Sequence, residues 1–276
     1  MANETYYINS FDTDLDIKPM PPSVKTDKTI NPAAPQPLKP TSSFPNLHKA
    51  NVTNIINAKP KNKNIEAGSE VLAAKLATDI SRFDFAIQVS KIASYQKRFH
   101  NKYNYPIIST PKYINKRKIP EAAFILSIIR QESEFDTSAN SSAGARGLMQ
   151  LMTYTAKTVA KQANMTYSKS RLTKDPEYNI NLGSHYIAGL ILEYDGAYPF
   201  AIAAYNAGPK RVRYWKKINK NPQKGQIDYV DWIELIKFKE TRNYVQRVLE
   251  NYNVYRYILE QKPILVKDFF KSEPLY

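Results

Sequence analysis

The 276-residue chain has no cysteine and only three histidines, His48, His100 and His185. Without thiols the chain forms no disulfide, and it has neither a thiolate zinc site nor a cysteine nucleophile. The histidines are widely spaced, so a histidine-rich metal site is not expected. The usual sequence motifs for nucleotide phosphates, zinc proteases and serine hydrolases (P-loop, GxGxxG, HExxH, GxSxG) are also missing from the region with helical patterning.

Long apolar runs are absent as well. No stretch is long and apolar enough to span a bilayer. The amino-terminal "MANETYYINSFDTDLDIKPM" contains acids and no apolar core, so it does not have the pattern of a secretory signal. The sequence by itself therefore shows neither a membrane span nor a leader.

Acidic residues are scarce relative to basic ones: 25 Asp and Glu against 40 Lys and Arg, a formal charge of +15. Such an excess favours a polyanionic partner, and charge alone leaves nucleic acid, acidic lipid and an acidic wall polymer open. The basic stretch from Lys210 to Lys224 includes Tyr214 and Trp215, a mixture that can bind single-stranded nucleic acid. A solvated helix face with Val212 and Trp215 turned to the core is the favoured interpretation.

Composition and periodicity divide the chain into three parts. Residues 1–65 are polar and proline-rich and are predicted to be a disordered tail. Residues 66–118 are predicted to form a short helical segment, with two amphipathic helices paired as a hairpin. Residues 119–276 show helical patterning throughout and no alternating run long enough for a strand. The predicted fold class is therefore all-α.

Capping residues predict where several helices begin and end. Asp175 and Pro176 are expected to start the clearest helix, which Gly196 ends. Ser69 is a predicted N-cap, and Pro120 is placed in the first turn of the helix "EAAFILSIIRQES".

Glu132 stands out in that last helix because it continues an apolar stripe of Ile125, Ile128 and Ile129. Loss of water disfavours a charged carboxylate, so burial there would raise its pKa. A carboxylic acid that is still protonated near neutral pH can donate a proton to a leaving group, as glycoside cleavage requires. The alternative is that Glu132 lies at the helix end and reaches solvent there.

Neutral hydrogen-bonding groups follow at two places. "SSAGARGLMQLM" brings Gly144, Gly147 and Gln150 shortly after Glu132, and "AAYNAG" places Tyr205 and Asn206 at the end of an apolar helix. Taken singly, each is more often a structural group. Together with an acid they are typical of a sugar-binding cleft.

Three segments resemble the signature segments of soluble lytic murein transglycosylases. They are "RQESEFDTSANSSAGARGLMQLM", "AIAAYNAGPKRVRYW" and "KETRNYVQRVLENYNVYR", in that order along the chain. The resemblance covers about residues 119–257, and it implies a lysozyme-like helical catalytic domain. Residues 69–99 resemble the last turns of the superhelical domain that precedes catalysis in full-length members. The chain departs from the family pattern at Thr153, where proline is usual.

The resemblance implies a role for each matching residue. Glu132 matches the single catalytic acid and base. The positions that match the substrate cleft are Ser141, Gln150, Met152, Thr155, Tyr205, Asn206 and Glu240. The implied reaction cuts the β-1,4 bond between N-acetylmuramic acid and N-acetylglucosamine in peptidoglycan, without water, and leaves a 1,6-anhydromuramic acid end. It requires neither a metal nor a cofactor.

The resemblance also implies a periplasmic location and peptidoglycan strands, rather than nucleic acid, as the partner. Three alternatives remain at this stage: a hydrolytic lysozyme-type muramidase, a non-catalytic murein-binding module and a nucleic-acid binder. A hydrolase would need a second carboxylate across the cleft, for which Asp136 is a poor candidate because it follows Glu132 by only four residues.

Overall fold

The computed structural model describes residues 68–260, and the tail predicted for residues 1–65 lies outside them. α-Helices dominate this region. In chain order the elements are α1 Ser69–Asp79, α2 Phe83–Tyr95, α3 Asn101–Asn104, β1 Tyr113–Ile114, β2 Arg117–Lys118, α4 Ala122–Glu132, α5 Thr153–Gln162, α6 Arg171–Lys174, α7 Pro176–Glu193, α8 Tyr198–Ala207, α9 Pro209–Ile218, a 3-10 turn Pro222–Lys224, α10 Tyr229–Glu234 and α11 Lys239–Glu260. The all-α prediction is confirmed apart from one short hairpin.

The predicted limits of α7 are correct. The Asp175 carboxylate accepts a hydrogen bond from the Tyr178 backbone N–H at 3.0 Å, and Pro176 is the first helical residue. At the other end, Gly196 has φ +81° and donates its N–H to the Ile191 carbonyl at 2.9 Å. Such a left-handed residue satisfies carbonyls that the last helical turn leaves without partners.

Two other predicted helix starts were wrong by one or two residues. Ser69 is the first residue of α1, and its N-cap is Gly68 at φ +110°. Pro120 precedes Glu121, the N-cap of α4, so it lies outside the first turn. At the departure from the family pattern, Thr153 is the first residue of α5 and Met152 is its N-cap. In each case the N-cap residue supplies no side-chain hydrogen bond, so the side-chain chemistry used for the prediction does not decide the boundary.

The β1–β2 hairpin corrects the prediction that the folded region has no strands. Tyr113 pairs with Lys118 and Ile114 pairs with Arg117. Asn115 and Lys116 between them both have positive φ, +44° and +64°, as a two-residue type I′ turn requires. With two residues in each strand, the alternation is too short to detect in the sequence.

This hairpin is attached to α7 through Arg117. Its guanidinium Nη1 lies 3.3 Å from His185 Nδ1 and 3.4 Å from the His185 carbonyl oxygen. Burial, with the charge of Arg117 adding to it, lowers the pKa of His185 to about 4. The imidazole is therefore neutral in the folded protein at neutral pH.

Helices α1 and α2 pair as the periodicity predicted. Their contact is built from Ala74, Ala77 and Ala86, all at most 1% exposed, and such small side chains let the helix backbones approach closely. The buried Glu70 carboxylate accepts from Arg98 Nε at 2.5 Å, which ties the start of α1 to the chain after α2.

The central helix of the fold is α4, which is buried on all sides from Ala123 to Arg130. It packs against α11, and Phe124 meets the rings of Tyr198 and Tyr252 edge-on at centroid distances of 4.7 and 5.2 Å. The α4 backbone is thus held from several directions, and its last residue, Glu132, emerges from the core at a defined place. None of the helices within residues 68–260 combines the length and apolar character that a bilayer crossing requires.

Candidate active site

Glu132 is the final residue of α4, and it is half-buried. The three isoleucines that precede it on the same face are fully buried. The sequence placed Glu132 along this apolar stripe, whereas the structure places it where the stripe ends. Both interpretations from the sequence are therefore partly correct. Buried apolar side chains precede the carboxylate on its helix face, and the carboxylate itself reaches the surface at the helix end.

Tyr244 on α11 holds this carboxylate. Its phenol donates a hydrogen bond to Glu132 Oε1 at 2.6 Å, across 112 residues of sequence. The ring of Tyr244 is buried at 6% exposure, so packing fixes the position of its hydroxyl. The carboxylate of Glu132 is thereby oriented by a second helix as well as by its own.

Ser133, directly after Glu132, connects it to the following loop. The Ser133 hydroxyl donates to the Leu148 carbonyl at 2.8 Å. The loop residue Gln150 has φ +44° and is 7% exposed. Its side-chain amide donates to the Gly147 carbonyl at 2.8 Å and to the Ala139 carbonyl at 3.2 Å. The Gln150 amide group thus stabilises the loop itself, which is the structural use expected of it when taken singly.

Tyr205, near the end of α8, binds the same loop. Its hydroxyl donates to the Met149 carbonyl at 2.7 Å, and its ring lies against Tyr186 with 5.3 Å between centroids. Consecutive carbonyls, those of Leu148 and Met149, therefore accept hydrogen bonds from Ser133 in the first signature segment and from Tyr205 in the second. The third segment meets the first elsewhere, through the hydrogen bond from Tyr244 to Glu132.

Asn206 connects α8 to the start of α11. Its side-chain oxygen accepts from the Thr241 hydroxyl at 2.7 Å. Its amide also hydrogen-bonds with Glu240, whose pKa is raised by burial and lowered in part by this bond. Asn206 and Glu240 are thus brought together, and the contact of each with a sugar strand stays a prediction.

The remaining predicted residues lie in the loop and at the start of α5. The Ser141 hydroxyl accepts from the Ala145 N–H at 2.9 Å and closes a turn of the loop. Met152 is 38% exposed and immediately precedes α5, and Thr155 is half-buried within that helix. Their contact with a sugar strand stays a prediction.

The carboxylate of Asp136 accepts hydrogen bonds within its own turn. Its Oδ1 accepts from the Ser138 N–H at 2.8 Å and from the Ser138 hydroxyl at 2.7 Å. Glu134, two residues after Glu132 and beyond the end of α4, is paired with Lys91 at 2.6 Å and Arg130 at 3.3 Å. The two acids nearest to Glu132 in sequence are therefore both engaged in structural contacts.

Tyr244 and Asn179 were not predicted from the sequence. Tyr244 follows Glu240 by one helical turn in "KETRNYV", so the two side chains share a helix face. The phenol hydroxyl of Tyr244 on the same face as a predicted site residue was the signal that could have identified it. Asn179 precedes Gly183 by four residues on the buried face of α7, the same pattern of a polar residue on an apolar stripe that drew attention to Glu132. Within residues 68–260, His, Asp and Glu side chains form no group of three or more that is placed to hold a metal ion.

Comparisons with known proteins agree with this arrangement. Residues 110–227 match the family model described as the transglycosylase SLT domain. The soluble lytic murein transglycosylase of Escherichia coli K12 is 39% identical over 156 residues, which are 56% of this chain and 23% of that protein.

Two solved structures are also similar. The crystal structure of the 70 kDa soluble lytic transglycosylase of Escherichia coli has a TM-score of 0.65 and 31% identity, over 76% of this chain and 32% of that one. The lytic transglycosylase Slt of Pseudomonas aeruginosa, solved as an inactive mutant, has a TM-score of 0.59 and 33% identity, over 71% and 31% of the two chains. The chain thus spans about a third or less of the length of these relatives.

The matched region contains α4 with Glu132, the loop to Gln150 and helix α8 with Tyr205 and Asn206. The predicted lysozyme-like, all-helical fold class is confirmed by these structural neighbours. The predicted resemblance to soluble lytic murein transglycosylases is therefore confirmed, and residues 110–227 are the part of the chain that matches the transglycosylase SLT domain family.

Proposed function

We propose that this protein is a peptidoglycan lytic transglycosylase, which cleaves the β-1,4 bond between N-acetylmuramic acid and N-acetylglucosamine. The observation that carries the proposal is the hydrogen bond from Tyr244 to Glu132 at the exposed end of the buried helix α4. A carboxylic acid held in this way, beside a loop braced by Ser133 and Tyr205, has the fixed geometry that proton transfer requires.

In the first step Glu132 protonates the glycosidic oxygen as the bond to the muramyl C1 breaks. The hydrogen bond from Tyr244 to Oε1 holds the carboxyl group in place during this transfer. The N-acetyl oxygen of the substrate stabilises the positive charge that develops at C1, so no enzyme nucleophile is needed. The leaving sugar departs with the proton as an alcohol.

In the second step the Glu132 carboxylate takes the proton from the 6-hydroxyl of the same muramyl residue. That oxygen attacks C1 and closes the 1,6-anhydro ring, which regenerates the acid. No water is consumed, and one residue serves as general acid and then as general base. The tyrosine hydroxyl of Tyr244 keeps the carboxylate in place in both protonation states.

The other predicted residues orient the strand. Asn206 and Glu240 form one polar group at the junction of α8 and α11. Ser141, Met152 and Thr155 extend the cleft on the side of the loop and α5. The formal charge of +15 speeds encounter with the carboxylates of peptidoglycan stems, which is an effect on association rate more than on specificity. The site of action we propose is the cell wall, in the periplasm.

The test is Glu132→Gln on purified peptidoglycan, with products identified by mass spectrometry. Activity should fall by at least about 10²–10⁴-fold, the range for a general acid–base group. Glu134→Gln is the matched control, because the same change is made two residues away in an acid engaged with Lys91 and Arg130. That control should retain turnover.

Product identity separates the proposed activity from its alternatives. Wild-type protein should release 1,6-anhydromuropeptides, one water lighter than hydrolysis products. Reducing-end muramic acid as the main product would instead make the protein a hydrolytic muramidase. Binding to peptidoglycan without any cleavage would make it a binding module, and substantial turnover in Glu132→Gln would exclude Glu132 as the proton donor.

A further inference from the structure

Asn179 on α7 is completely buried, yet its side chain is fully hydrogen-bonded. Its Oδ1 accepts from the Met149 N–H at 2.8 Å. Its Nδ2 donates to the Arg146 carbonyl at 2.9 Å and to the Leu172 carbonyl at 3.0 Å. A single amide thus holds both ends of the turn Arg146–Met149 and ties that turn to the end of α6. A buried amide with both of its donor hydrogens and its oxygen in use fixes its partners strongly, because any broken bond leaves a polar group without water.

The turn is fitted closely against Asn179. Gly147 has φ +74°, and a Cβ at that position would lie 2.0 Å from the Leu172 carbonyl oxygen and 2.4 Å from Asn179 Nδ2. One helical turn after Asn179, Gly183 faces Met149, where an added Cβ would lie 2.7 Å from the Met149 Cβ. Asn179 and Gly183 therefore form one surface of α7. The turn packs against this surface so closely that an added Cβ at Gly147 or Gly183 would clash.

The same turn carries the acceptors that connect the catalytic segments. Leu148 accepts from Ser133, the neighbour of Glu132, and Met149 accepts from Tyr205. The position of these carbonyls therefore determines where Ser133 and Tyr205 are held. Asn179 sets the position of the turn through the Met149 N–H and the Arg146 carbonyl.

We infer that Asn179 is a positioning residue, which aligns the end of α4 and Tyr205 with each other through the turn 146–149. The inference rests on the proposed function for its catalytic consequence, although the hydrogen bonds exist independently of it. Asn179 does not itself contact substrate in this proposal. Its role is to give the loop one conformation before the glycan strand binds.

The principal test is Asn179→Asp, which preserves shape and an acceptor oxygen but removes both N–H donors. An ionised aspartate would face the Arg146 and Leu172 carbonyls with no hydrogen to donate, so the turn should shift. With a soluble, uncross-linked glycan strand, kcat should fall roughly 10–100-fold, the scale on which small misplacements affect catalysis, with a smaller change in KM. Asn219→Asp is the matched control: the Asn219 amide donates to the Leu235 carbonyl at 2.9 Å, away from the turn, and kcat should not change.

A double-mutant cycle distinguishes positioning from general destabilisation. Asn179→Asp and Tyr205→Phe both weaken the alignment of the same turn, so their combined effect on kcat should be smaller than the product of the separate effects. All variants are assayed at temperatures equally far below their own Tm. If Asn179→Asp does not fold, Gly147→Ala replaces it in the cycle, because its Cβ would clash with Asn179 Nδ2 and the Leu172 carbonyl and so displace the same turn.

Amide hydrogen exchange of Met149 gives a readout that does not depend on activity. Its N–H should exchange faster in Asn179→Asp than in wild type, while core amides of α4 keep their protection. Unchanged kcat at matched stability, purely multiplicative effects in the cycle, or unchanged Met149 exchange would each overturn the inference. If wild-type protein released no anhydromuropeptides, the proposed function would fail, and the exchange experiment alone would decide whether Asn179 holds the turn.

Discussion

Removal of the Tyr244 hydroxyl by Tyr244→Phe tests how Glu132 is held. The ring is 6% exposed and its packing is kept, while the 2.6 Å hydrogen bond to Glu132 Oε1 is removed. A hydrogen bond to a charged group contributes about 1.5–3 kcal/mol. We assume that the hydrogen bond contributes this free energy in the transition state, where the carboxylate is oriented for proton transfer. Its loss should then lower kcat by roughly 10–150-fold, at 1.36 kcal/mol for each factor of ten.

Stability should change much less than activity. Glu132 is half-buried, so water can replace the phenol as its partner. We expect the free energy of unfolding to change by no more than about 1 kcal/mol. The assay is the release of anhydromuropeptides at saturating soluble glycan, together with thermal unfolding followed by circular dichroism.

Tyr255→Phe is the matched control, on the same helix and with the same atom removed. The Tyr255 hydroxyl donates to the Pro106 carbonyl at 3.0 Å, outside the site. It should lose stability because a buried carbonyl is left without its partner, but it should keep wild-type kcat. Equal losses of kcat in both variants, or no loss in Tyr244→Phe, would refute the role assigned to Tyr244.

Three further outcomes follow from particular contacts. Tyr205→Phe should lose about 1 kcal/mol of stability in urea unfolding, because its bond to the Met149 carbonyl is removed, and should turn over peptidoglycan much more slowly; undiminished turnover would contradict the second effect. His185 has a folded pKa of about 4 against 6.5 unfolded, so protonation of the unfolded chain should cost roughly 3 kcal/mol of stability as pH falls from about 6.5 to 4. Stability is fully present above that window, and His185→Gln should flatten the slope measured across it. Gly183→Ala should destabilise by about 1–3 kcal/mol through the clash with Met149, and a rise in Tm would show that Met149 can move away.

The local chemistry of single elements could be predicted from the sequence. The start and end of α7 follow from Asp175, Pro176 and Gly196, because capping depends on residues within a few positions of each other. The inward side of α9 follows from Val212 and Trp215, which are 0% and 2% exposed. Glu132 could be singled out for the same reason: a periodic apolar pattern makes one exception visible.

Contacts between distant segments could not be predicted in this way. Tyr244 and Glu132 are 112 residues apart, and nothing in either local pattern specifies that α11 lies along α4 with these two side chains in register. The short hairpin at residues 113–118 was missed because two-residue strands carry no detectable period.

The amides show the difference most clearly. Gln150 and Asn179 have the same functional group, and the sequence drew attention only to the first, through its place in a recognisable segment. The tertiary structure gives both of them loop-holding hydrogen bonds, with Asn179 binding a turn that lies about 30 residues earlier in the chain. The sequence determined which residues carry acidic or hydrogen-bonding side chains and which face of each helix is apolar. Only the packing of α7, α8 and α11 around α4 decided which polar groups meet, because a hydrogen bond needs two groups within about 3 Å and that distance is set by the whole fold.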